Sequence, residues 1–174
     1  MQERGTIVCP CAIRGGAMEP EKDATMAIPY ERATSGRDAI DQIRQTLQAF
    51  GCTKYAPMED FAGGQVTIQF EYRGRMVQVT ASATGWAQMW LKANPHNYRH
   101  KISEREHEAK ALQQGTVAVW SMLRDWIKGQ ITAIECGVLK FDSAFLGQIL
   151  LPDGRTVHQH VEAKGILPQI EGPK

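Results

Sequence analysis

The chain of 174 residues lacks most of the features that assign a protein quickly to a class. No stretch approaches the roughly 20 apolar residues of a membrane-spanning helix. The N-terminus carries no apolar signal-peptide core, so the expected location is the cytoplasm. Lys plus Arg number 20 and Asp plus Glu 19, which leaves no global charge to draw the chain to nucleic acid or to an anionic membrane. Cysteine is scarce: Cys9, Cys11, Cys52 and Cys136 are expected to be reduced in such a compartment. Cys9 and Cys11 lack the two further ligands, at suitable spacing, that zinc would need. Also missing are GxSxG, HExxH, GxGxxG and the phosphate-loop pattern. No cofactor is expected, and the balance favours a protein that is not an enzyme.

What is present is organised around residues 103–135, which read as one long amphipathic helix. Ser103 with Glu106 forms a capping box at its start. Glu104, Glu106 and Glu108 place negative charge where the helix dipole favours it. Ala109, Leu112, Thr116, Val119, Leu123, Ile127, Ile131 and Ile134 recur at steps of three and four and predict the buried face, which Trp120 and Trp126 widen. Gly137 is the natural stop. At about 1.5 Å per residue the helix would run roughly 50 Å. It must therefore bend, with Gly115 and Gly129 as weak points, or protrude and pair with a second copy through residues 103–135.

Before this helix, residues 1–25 show neither helical nor strand periodicity. They are expected to be a disordered extension, with Met26 the natural start of the protein. Ser35 opens a helix carrying Ile40, Ile43, Leu47 and Phe50 on one face, closed by Gly51. Residues 53–58 read as a short strand weakened by Pro57, and residues 59–64 as a turn. Residues 65–81 predict a hairpin. With Arg73-Gly74 as a two-residue loop, Phe70 faces Val77, Ile68 faces Val79 and Val66 faces Ala81, all on one face. A short helix follows with Trp86, Met89, Trp90 and Leu91 on its apolar side, ended by Asn94-Pro95.

After the long helix come a short helix near Phe141, a turn at residues 152–155, and a last helix capped by Thr156 and Gln159; a second hairpin is the alternative there. Residues 165–174 read as a flexible tail. The expectation is a single α+β domain over residues 26–164. A small antiparallel sheet of two or three strands would pack against helices, one of them long and central.

Two clusters could carry function. His96, His100, Glu104 and His107, with Glu108 beside them, offer imidazole and carboxylate groups for a metal-dependent nuclease or hydrolase, although an exposed, charged first helical turn explains the same residues. A binding surface could instead use Arg73 and Arg75 at the hairpin tip together with Lys92, Tyr98, Arg99, His100 and Lys101. The cations would meet phosphates and Tyr98 would stack on a base. The α-β-β-β-α order of residues 35–94 is that of double-stranded RNA-binding domains. Against the analogy, the last helix opens Gly85-Trp86-Ala87-Gln88 without a basic cluster. The four tryptophans could line a ligand pocket, but read better as core.

The stretches MAIPYERATSGRDAI at 26–40 and LRDWIKGQITAIECGVLKFDSAFLGQILLPDGRTV at 123–157 carry a resemblance. Over residues 26–161 the chain resembles small uncharacterised proteins encoded by phages and prophages of bacteria. The resemblance implies an accessory mobile-element protein in a bacterial cytoplasm: a regulator, a nucleic-acid handler or an inhibitor of host functions. It implies no catalytic residues. The expected partner is a host protein or nucleic acid, with no membrane involved.

Overall fold

The computed structural model describes residues 27–97 and 102–166. The element order is α1 (Gly36–Phe50), β1 (Lys54–Asp60), β2 (Gln65–Tyr72), β3 (Arg75–Ser82), α2 (Ala83–Ala93), α3 (Glu104–Glu135), α4 (Phe141–Phe145), a 3-10 turn (Leu146–Gln148) and α5 (Val157–Ala163). This is an α+β fold, with a three-stranded antiparallel sheet in the order β1-β2-β3 packed against helices. Among the described residues no helix is long and apolar enough to cross a membrane. The expectations for residues 1–25, and for most of the C-terminal tail, fall on residues outside those described.

The hairpin has the register its alternation predicts: Phe70 opposite Val77, Ile68 opposite Val79 and Val66 opposite Ala81. Arg73 and Gly74 close it with φ of 49° and 76°, the left-handed pair that matches the twist of the strands. Val66, Ile68, Phe70 and Val77 are buried on the inner face. The outer face is polar and cross-braced by Thr67 with Thr80 at 3.1 Å and by Gln69 with Gln78 at 2.7 Å.

In a hairpin closed by two residues, the flanking pair Tyr72 and Arg75 exchanges main-chain bonds. Bonding direction alternates from there. Ile68 therefore bonds towards β3, and Pro57, which lies opposite it on β1, directs its main chain away from the sheet. Proline thus costs no ladder bond at this position and denies a donor to any strand approaching that edge. The other edge is covered, because Leu150 N–H donates to Met76 O at 2.7 Å and Ile149 bridges Val77.

Helix α3 packs against both α1 and α2. Its ends form as the sequence requires: the Ser103–Glu106 capping box is complete, and Gly137 takes a φ of 73° just past the last turn. Its buried face departs from the expected stripe in the first half. There the buried residues are His107, Ala111, Gly115 and Ala118, not Ala109, Leu112 and Thr116. The helix runs unbroken through Gly115. At Gly115 α2 comes close: a Cβ there would lie 2.9 Å from Ala83 O and 3.3 Å from the Trp86 ring. Beyond it, Val119, Trp120, Leu123, Ile127 and Ile131 follow the expected face.

Residues 27–34 form a strap across α2 and α3. Trp86 Nε1 donates to Pro29 O at 2.7 Å, Trp90 Nε1 to Glu31 Oε1 at 3.3 Å, and the Gln114 amide to Glu31 O and Ala33 O at 3.2 and 2.8 Å. Beyond α3, the turn at 152–155 and the last helix coexist: Thr156 caps α5 through its bond with Gln159 and also bridges Leu150.

Candidate functional site

Among the described residues, a large concavity lies between the start of α1, the β1–β2 turn and the first half of α3. Three local features shape it. Asp60 Oδ1 accepts from the N–H groups of Ala62 and Gly63, each at 3.0 Å, which folds the turn back on itself. Gly64 closes the turn with a φ of 61° and accepts from Ala83 N–H at 2.8 Å. This leaves Phe61 on the rim, 86% exposed. The groove holds about 770 Å³ and is walled by Ile40, Val66, Leu112, Val117 and Trp120. Arg37, Glu59, Gln113 and Thr116 supply its polar points.

Trp120 is the floor. Its ring is buried, and its Nε1–H donates to Glu59 Oε1 at 2.6 Å. A buried indole thereby fixes a carboxylate on the groove wall. Arg37, Glu59 and Asp60 form no ion pair among the described residues, so charges of both signs face the groove. The volume falls in the range of roughly 300–1,000 Å³ of ligand sites, and the apolar lining with a few convergent polar groups has their character.

The structure brings two of the candidate metal residues together. The rings of His96 and His107 lie 5.5 Å apart, with Trp90 5.2 Å from His107. One ring nitrogen of each is engaged by a carbonyl: His96 Nε2 with Ile102 O at 2.9 Å, His107 Nε2 with Asn94 O at 2.8 Å. A nitrogen that donates to a carbonyl offers no lone pair to a metal. The geometry ties the segment after α2 to the first turns of α3. Glu104 is exposed, and His100 lies outside the described residues. Among the described residues no group of three or more His, Cys, Asp or Glu side chains is placed to hold a metal.

Among the described residues, the candidate cations Arg73 and Arg75 lie apart from Lys92. Arg73 lies over the Tyr72 ring at 5.1 Å, and Arg75 is paired with Asp142. Lys92 is in the last turn of α2, beside Asn94, which bonds to His107. Asp142 belongs to α4, whose Phe145 packs on Trp126 at 5.6 Å. From His107 to Trp126 is about 28 Å of helix, so Lys92 and the hairpin tip sit towards opposite ends of α3. Tyr98, Arg99, His100 and Lys101 lie outside the described residues.

Two of the described nucleophile types, Cys52 and Ser121, are poorly prepared. Burial pushes the Cys52 thiol up to about 11, which leaves it protonated at neutral pH. Ser121 is buried, and its hydroxyl donates to Val117 O at 3.1 Å. The groove itself escaped the sequence reading. Its one legible sign was Phe61, a large aromatic in an otherwise small and polar turn; the meeting of Glu59 with Trp120, 61 positions apart, leaves no local trace. The chain matches no protein-family model, no curated protein and no solved structure.

Proposed function

We propose that this is a non-enzymatic accessory protein of a bacterial phage or prophage that acts in the cytoplasm by binding a host protein. The groove beside Phe61 is the binding site. The observation that carries this reading is the pairing of a large, mostly apolar groove with an exposed aromatic on its rim, the arrangement in which a partner's apolar side chain is captured and ringed by polar contacts. The near-neutral balance of 20 Lys and Arg against 19 Asp and Glu favours protein over nucleic acid.

The test uses affinity-tagged chain in host lysate. Wild type retains a partner that is lost with Thr116→Arg, which fills the groove, and with Phe61→Asp, which places charge on its rim. Arg73→Glu leaves retention unchanged, and circular dichroism confirms that all three variants fold. A partner kept by both groove variants would refute the assignment. Binding to single- or double-stranded DNA or RNA that weakens steeply with salt would replace it with a nucleic-acid function.

A further inference from the structure

The strap of residues 27–34 is held in an unusual way. Its carbonyls at alternate positions, Pro29, Glu31 and Ala33, are read by side-chain N–H donors of α2 and α3, Trp86 at 2.7 Å and Gln114 at 3.2 and 2.8 Å. Its one aromatic hydroxyl, on Tyr30, donates to Asp125 Oδ2 at 2.9 Å. This is how a cleft recognises a peptide: main-chain groups give affinity and one side chain gives register. Tyr30 has a φ of 59°, a left-handed conformation rare for a bulky residue, which persists only where its surroundings hold it.

The strap's own bonds are local. Glu31 N–H donates to Ile28 O and Ala33 N–H to Tyr30 O, so its shape travels with it. Among the described residues none of its hydrogen bonds reaches α1, the helix to which it is joined. A cavity of about 680 Å³ separates them instead, bounded by Asp38 and Gln42 of α1 and by Ser121 and Arg124 of α3. Only Thr34 stands between Ala33 and the Ser35 cap of α1. A segment with its own shape, anchored to distant elements and tethered by a very short hinge, meets the conditions for exchange between copies.

We propose that the cleft formed by Trp86, Gln114 and Asp125 takes residues 27–33 of a second copy, so that two chains exchange straps and form a reciprocal dimer. Every contact made within one chain is then remade between two, and the balance depends on concentration and on the hinge. Asp125 suits this role over a wide pH range. The Arg124 guanidinium holds its carboxyl below the usual carboxylate range, and the bond to that carboxylate pushes the Tyr30 hydroxyl up.

The experiment replaces Tyr30 with the photoreactive aromatic p-benzoylphenylalanine in both ¹⁴N- and ¹⁵N-labelled full-length chain. The two are mixed, equilibrated at high concentration and irradiated, and cross-linked peptides are read by mass spectrometry. Exchange predicts links from position 30 to α3 in which about half join a light to a heavy peptide. Light scattering of the unmodified chain then shows a mass rising towards twice that of one chain as concentration increases. Four Gly/Ser residues inserted after Thr34 relax the hinge and return the chain to monomer. A strict monomer at every concentration overturns the proposal, as does a dimer whose position-30 links all carry a single isotope.

Discussion

Early in α3, the small residues Ala111, Gly115 and Ala118 face inward, and at Gly115 the backbone of α2 approaches closely. Later in the same helix, Trp120, Leu123, Ile127 and Ile131 face inward and fill the space between the sheet and α1 with side-chain volume. The helix is continuous, but what holds each half is different. The first half depends on the absence of atoms and on a well-capped end. The second depends on the presence of atoms. A hydrophobic stripe reports the second kind of contact well and the first poorly.

The largest break in this comparison is Trp120→Ala. The side chain is 1% exposed, so its removal should cost about 3–5 kcal/mol in urea unfolding, and it also deprives Glu59 of its indole donor. Next comes a pair that sharpens the contrast through the sign of the effect. Gly115→Ala should destabilise by about 1–3 kcal/mol, because its methyl group would meet the Ala83 carbonyl at 2.9 Å and backbone must move. Gly129→Ala meets nothing within 4 Å and should stabilise by about 0.5–1 kcal/mol through helix propensity. Equal signs for the two glycines would end the distinction between the halves.

Ser103→Ala should cost about 1 kcal/mol and fray the first turn of α3, seen as faster amide exchange there and not beyond Trp120. The smallest effect is with acid. The Ser103 N–H, and then its hydroxyl, hold the Glu106 carboxyl below the usual range. A carboxylate lowered in the folded state stabilises fully above its unfolded value, and that contribution fades as pH falls through the folded one. Carbon-detected NMR should therefore find Glu106 titrating below the usual glutamate range, and moving partly back towards it in the Ser103→Ala chain.

Much of the fold was legible. The hairpin announced its register because period-two alternation and a two-residue loop must agree, and only one register satisfies both. The ends of α3 and α5 were legible because capping is local chemistry spanning three residues. The edge strand was legible even with Pro57 in it, since an edge is where proline is tolerated. What stayed hidden was tertiary. Ala111 and Gly115 carry little hydrophobic signal, so periodicity points to Ala109, Leu112 and Thr116 as the buried face of the first half, whereas these three line the groove. The partnership of Arg75 with Asp142 joins residues 67 apart, and that of Trp86 with Pro29 spans 57; neither spacing has a sequence signature. Of the candidate site residues, the pairing of His96 with His107 was foreseeable as a cluster, but not their bonds to main-chain carbonyls.

The tryptophans give the molecule a set of built-in optical probes. Trp86 and Trp90 donate to the strap, Trp120 donates into the groove, and Trp126 meets Phe145 edge-on in the second half of α3. The four indoles thus report on three districts, each indole with a different neighbour to quench or shift it. Chains that keep one tryptophan and carry phenylalanine at the other three would let emission report on strap, groove or distal packing separately, with no dye attached.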